Sequence, residues 1–85
     1  MSWTVIVDDA AKKQLKRIPR RDALRIVSVL EKFGDGPFAG DIEKMKGEEF
    51  VWRRRVGNFR VLYDLHVAKK IVAVFSIERR TSSTY

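Results

Sequence analysis

The sequence predicts one α+β domain in the order β-α-α-β-β-β-β, with a helical hairpin packed on one face of a mainly antiparallel sheet. Three observations predict it. The chain has 85 residues, the size of a single domain, here read as 1–85. Apolar residues recur at helical spacing through residues 11–33, whereas the runs before and after are β-branched and aromatic. The breaker groups Gly34-Asp35-Gly36-Pro37 and Gly57-Asn58 fall between those runs.

Trp3 to Val7 reads as the first strand. Asp8 and Asp9 can cap a helix, because a carboxylate accepts from the free N–H groups of a first turn. Ala11, Leu15 and Ile18 then share one helical face, with Lys12, Lys13, Lys16 and Arg17 around the rest. Pro19 ends that helix, since it has no N–H to donate. Asp22 is expected to cap a second helix, whose apolar stripe is Ala23, Ile26, Val27, Leu30 and Phe33. A loop runs from Gly34 to about Gly40. Asp41 to Lys46 reads as a strand ended by Gly47, and Phe50 to Val56 as the next. Gly57-Asn58 turns the chain into an antiparallel neighbour, Phe59 to Val67. Ala68-Lys69-Lys70 connects to a last strand, Ile71 to Glu78, and a polar tail ends at Tyr85.

Composition narrows the function classes. With no Cys, disulfides and thiolate metal sites are excluded. His66 is the only His and has no ligand partner at metal spacing, so no metal or cofactor is expected. No Ser-His-Asp pattern, phosphate-binding glycine loop or dinucleotide fingerprint occurs. No stretch is long and apolar enough to span a membrane. From the strand-like opening at Trp3 no leader sequence is expected, and the expected location is the cytoplasm.

Charge supplies the functional clue. Eighteen Lys and Arg against eleven Asp and Glu give a net charge of +7. Such an excess attracts phosphate backbones or acidic proteins. Alternation along a strand puts Arg53 and Arg55 on one face, with Trp52 and Val56 on the other. On the following strand Val61 and Tyr63 suit the helix side, which leaves Arg60 beside Arg53 and Arg55. Arg80, at the end of the last strand, is expected near the same face. Arg54 falls on the helix side, where Leu or Ile would be expected, and must extend its guanidinium past the edge. Converging guanidinium groups need an anion, and a phosphodiester matches their planar fork. A solvated face with salt bridges to Glu43, Glu48, Glu49 or Asp64 is the alternative at this point. Tyr85 beside the arginines could stack on a base or donate a proton, or could belong to a frayed terminus.

These residues carry a resemblance. Lys44-Met45-Lys46-Gly47 and Trp52-Arg53-Arg54-Arg55-Val56-Gly57-Asn58-Phe59-Arg60-Val61-Leu62-Tyr63 resemble the K-L-x-G … W-R-x-R-V-G-D-Y-R-V-I-Y stretch of the RelE/ParE toxin superfamily. Ala11 to Pro19 resembles its first helix, and Ile77-Glu78-Arg79-Arg80 with Tyr85 its close. The resemblance spans nearly the whole chain and implies a RelE-like fold. It implies the toxin of a type II toxin–antitoxin pair, on the RelE-like branch a metal-independent endoribonuclease. Such an enzyme cuts mRNA on the ribosome with the RNA 2′-OH as nucleophile. By position it assigns catalysis to Arg53, Arg55, Arg60 and Arg80, with Tyr85 matching approximately, and it leaves RNA binding to Lys44, Lys46 and Arg79. The implied partners are an acidic antitoxin, the ribosome and mRNA, with operator DNA reached only through the antitoxin complex. Two alternatives share the scaffold: a ParE-like inhibitor of DNA gyrase that does no chemistry, and an inactive relative that only binds antitoxin. This chain has Arg where some characterised relatives have Lys. A guanidinium holds its proton at working pH and makes a poor base. Proton transfer is then left to Tyr85, Lys44, Lys46, or the ribosome and RNA. Glu78 stands near where many relatives have His.

Overall fold

The chain builds β1 (Thr4–Val7), α1 (Asp9–Lys16), α2 (Arg20–Phe33), β2 (Ile42–Lys44), β3 (Val51–Val56), β4 (Phe59–His66) and β5 (Ile71–Arg79). This is a computed structural model that describes residues 3–47 and 50–79. The strands form one sheet in the order β1-β5-β4-β3-β2. β1 runs parallel to β5, and the other pairs are antiparallel. The helices lie on one face of the sheet, so the expected α+β layering holds.

The helix starts follow local chemistry, with one correction. The Asp8 carboxylate accepts from the Ala11 N–H at 2.9 Å and caps α1 as expected. Asp22 does not cap α2. That helix begins at Arg20, directly after Pro19, whose carbonyl accepts from the Ala23 N–H at 2.9 Å. The proline ring stops one helix and its fixed φ, here −52°, leads into the next. Asp22 lies inside the first turn, where the helix dipole favours a negative charge, and 3.9 Å from Arg25.

The strand boundaries shift slightly. The strand expected over Asp41 to Lys46 narrows to Ile42–Lys44, because the Met45 N–H closes a turn by donating to the Val51 carbonyl at 2.9 Å. Val67 leaves β4 for a short 3-10 turn that ends at Lys70, a non-glycine residue at φ 54°. Between β3 and β4, Gly57 has φ 59° while Asn58 keeps a negative φ, the pattern of a type II′ hairpin turn.

One face of the sheet makes the core. Val61, Tyr63 and Leu65 of β4 meet Val72, Val74 and Ile77 of β5 beneath Ile26, Leu30 and Phe33 of α2 and Ala11 of α1. Each large side chain buried here contributes roughly 1.5–3 kcal/mol. The sequence gives no sign of how β5 meets this demand. Val72 and Val74 are even-numbered and Ile77 is odd, yet all three are buried in the one cluster. A register shift resolves the conflict: Leu62 pairs with Ser76 and Tyr63 with Val74, which leaves Phe75 as the extra residue of a β-bulge. Beyond the bulge the alternation is reversed, so Ile77 points to the helices and Glu78 to the open face. β1 reaches only as far as Val74. The Ile77 N–H, on that uncovered side, donates instead to Gln14 Oε1 of α1 at 2.8 Å.

The loop after α2 is fastened from below. Pro37 is fully buried and Tyr63 donates its O–H to the Pro37 carbonyl at 3.5 Å. Phe33 packs on the Tyr63 ring at 4.8 Å, and Trp3 meets Phe38 edge-on at 5.7 Å. Burial pushes the Tyr63 hydroxyl up to about 12, while the nearby Arg54 charge pulls it the other way. Among the described residues no helix is long and apolar enough to cross a membrane.

Two measurements check these contacts. Gln14→Ala leaves the Ile77 N–H without its acceptor and is expected to lower unfolding stability by about 1–2 kcal/mol in a urea titration. Tyr63 favours its protonated form in the folded state. Its contribution is therefore complete below the ordinary tyrosine value of about 10 and is lost as pH rises from 10 towards 12. Tyr63→Phe should flatten that alkaline decline, by at most about 2–3 kcal/mol at the upper end.

Candidate functional site

The helix-free face of the sheet carries a charged row. Antiparallel pairing places Arg55 of β3 directly opposite Arg60 of β4, and Arg60 opposite Glu78 of β5. Such partners have Cβ atoms about 5 Å apart. On the other flank the Arg55 N–H donates to the Asp41 carbonyl at 2.9 Å, just before β2. The order across the face is Glu78, Arg60, Arg55, Asp41, two adjacent guanidinium groups with a carboxylate at each end. The neighbouring row runs Ser76, Leu62, Arg53, Glu43. Leu62 is only 8% exposed although no helix covers it. Long neighbours such as Arg53 supply that cover with their aliphatic stems.

Each arginine has a carboxylate of its own. Arg53 pairs with Glu43, Arg55 lies 3.7 Å from Asp41, and Arg60 lies 3.4 Å from Glu78. Glu43 was expected as such a partner, but Asp41 and Glu78 were not. Asp64 is not among the partners, and Glu48 and Glu49 lie outside the described residues. These acids offset the repulsion among the arginines. The Arg55 and Arg60 pairs are exposed enough to contribute on the order of 0–1 kcal/mol each, while Arg53 is more enclosed. A phosphate, with more oxygens to offer, can replace the carboxylates at low cost. The Nε atoms of Arg55 and Arg60 are shielded and have no hydrogen-bond partner among the described residues, so part of their donor capacity is unused.

The structure brings together Arg53, Arg55 and Arg60. It does not add Lys44, which pairs with Trp52 and so shares the opposite, helix-side face. Lys46 lies past the end of β2 in the turn towards Gly47. Arg79 stands opposite Phe59, with its guanidinium 5.7 Å from the centre of that ring, also on the helix side. Arg80 and Tyr85 lie outside the described residues. Arg54 takes the helix-side position that alternation demands. It bends back to donate to the Arg55 carbonyl and lines a cavity of about 530 Å³ with Val29, Lys32 and Phe33. Gly40 makes room for it: a Cβ there would fall 2.5 Å from Arg54 Nε. His66 stacks on Phe50 at 6.3 Å, in β4 at the end away from the row. No group of three or more His, Cys, Asp or Glu side chains is placed to hold a metal among the described residues.

Comparison with known proteins agrees with this architecture. The chain is 29% identical over 83 residues to a protein of Methanocaldococcus jannaschii assigned as the toxin RelE1, covering 94% of this chain and 92% of that one. It shares its fold with the toxin in the archaeal RelE-RelB complex of Pyrococcus horikoshii, at TM-score 0.85, 20% identity, and coverage of 98% and 100%. The isolated RelE toxin of E. coli matches at TM-score 0.81 and 17% identity, over 96% of this chain and 88% of that one. The family model described as ParE toxin of type II toxin-antitoxin system, parDE, matches residues 5–83. A match over nearly the whole chain settles the family: the chain belongs to the RelE/ParE toxins of type II toxin–antitoxin systems.

Proposed function

We propose that this toxin is a ribosome-dependent, metal-independent endoribonuclease that cleaves mRNA and so stops translation. The observation that carries the reading is the facing pair Arg55 and Arg60, with Arg53 one row away, on the face opposite α1 and α2. Two fixed guanidinium groups can grip the non-bridging oxygens of one phosphodiester and stabilise the extra charge of a pentacoordinate phosphorus. The nucleophile is the RNA's own 2′-OH, and the ribosome supplies an mRNA strand held open. Arg80 and Tyr85 complete the proposed catalytic set, and Lys46 at the rim is proposed to contact the RNA backbone. Lys44 and Arg79, on the other face, are better placed to hold flanking RNA or ribosomal RNA than the scissile phosphate.

The proposed partner is an acidic antitoxin, supported by the net charge of +7 and by relatives whose structures are RelE-RelB complexes. Operator DNA is reached through that complex, and the proposed location is the cytoplasm. A second reading, inhibition of DNA gyrase without chemistry, is favoured by one observation. The strand positions are arginine, not lysine, and each has its own carboxylate.

The test is a cleavage assay on 70S ribosomes programmed with mRNA and an empty A site, with ends mapped by primer extension. Cuts within the A-site codon are expected. Arg55→Ala and Arg60→Ala should each lower the single-turnover rate by about 100-fold or more while the fold persists. Intact mRNA together with blocked supercoiling would transfer the assignment to gyrase. Intact mRNA, normal supercoiling and normal growth on expression without antitoxin would identify an inactive relative.

A further inference from the structure

Within the charged row, an arginine cannot accept a proton and a carboxylate can. The ribonuclease reading needs an acceptor for the 2′-OH proton, and Lys44 and His66 are placed away from the row. Among the described residues three carboxylates border it. Glu43 sits on the edge strand with its side chain 63% exposed, and Asp41 precedes that strand with its side chain 61% exposed. Glu78 lies on β5 next to β4, past the point where β1 ends, and its side chain is 41% exposed. It is also held at both oxygens: Oε1 is 3.4 Å from Arg60 Nη2, and Oε2 accepts from the Ser76 hydroxyl at 3.3 Å.

The backbone gives a second, independent observation. Glu78 is even-numbered, like the buried Val72 and Val74, and an unbroken strand would turn it towards the helices. The bulge at Phe75 reverses that alternation and presents Glu78 to the arginines. Gln14 of α1 holds the backbone beside it through the Ile77 N–H. A bulge that only served packing would not need an acid as the next open-face residue after Ser76.

We propose that Glu78 is the general base of the reaction, with Arg55 and Arg60 binding the scissile phosphate beside it. This rests on the ribonuclease reading above. The Glu78 carboxylate takes the proton of the 2′-OH as the 2′-oxygen bonds to phosphorus. The bond from phosphorus to the 5′-oxygen breaks, and that oxygen takes a proton from solvent. The products are a 2′,3′-cyclic phosphate and a 5′-hydroxyl, and Glu78 returns its proton to solvent. The phosphate displaces Glu78 from Arg60, which frees the carboxylate for the neighbouring hydroxyl.

The experiment compares wild type, Glu78→Gln and Glu78→Ala in single-turnover cleavage on programmed 70S ribosomes. Binding is measured in parallel on mRNA carrying a 2′-deoxy nucleotide at the cut, and folding by thermal melting. Glutamine keeps an oxygen for Arg60 but cannot act as a base. The expected result is a rate at least 100-fold lower for both variants, with binding to the deoxy mRNA equal or tighter. A Glu78→Gln rate within threefold of wild type would overturn the proposal and leave the ribonuclease intact, because it would reduce Glu78 to a partner that positions Arg60. Tighter binding with an unchanged rate would likewise overturn it and make Glu78 a competitor of the phosphate. Absence of cleavage by wild type would overturn the ribonuclease reading and the proposal together.

Discussion

Among the described residues the helices cover one side of the sheet only, and this constraint organises the rest of the molecule. Side chains alternate along each strand, so one-sided burial commits every second residue to the core and releases the others. β4 shows it most directly: Val61, Tyr63 and Leu65 are in the core, while Arg60, Leu62 and Asp64 face away. Neither set can be moved without moving the other. The arginine row therefore inherits its rigidity from the packing of α2 against the reverse side of the same strands. A site built on central strands holds its groups more firmly than one built on loops, which suits a mechanism that relies on fixed charges.

How much of this was legible in the sequence depends on whether local rules were enough. Arg53, Arg55 and Arg60 could be placed on one face because β3 and β4 are regular and joined by a two-residue turn. The helix-side position of Arg54 followed from the same alternation. Asp22 misled because a polar residue at a helix start reads as a cap, whereas Pro19 already fixed the start three residues earlier. Lys44 misled for a different reason. Its face depends on the register of β2 against β3, and three residues of an edge strand carry too little apolar pattern to fix it.

The larger omission was the bulge. A bulge has no dependable signature when neither glycine nor proline marks it, and Val-Phe-Ser-Ile reads as uninterrupted strand. Only the conflict between buried Val74 and buried Ile77 reveals it, and that conflict exists once the core is known. The partners of the arginines were hidden for the same reason. Asp41 and Glu78 lie 14 and 18 residues from Arg55 and Arg60 in sequence, and only sheet register brings them into one row.

The self-pairing of the row bears on how adjacent guanidinium groups can stand on one sheet face. Adjacent guanidinium groups at strand spacing repel, and a sheet that bore them alone would lose stability. Flanking acids remove that cost while leaving the arginines near the surface in weak, solvent-screened pairs. A phosphate can then exchange with a carboxylate at a partly exposed pair such as Arg60–Glu78. The exchange has a direction built into it: the strand order leaves Glu78 and Asp41 on opposite sides of the arginine pair. An in-line displacement at phosphorus also needs its entering and leaving oxygens on opposite sides. Of the two acids, Glu78, which touches both Arg60 and Ser76 and is less exposed than Asp41, is the better held. An acid that reads as a flaw in a basic surface is thus, by its place in the row, the carboxylate on which the proposed reaction would start.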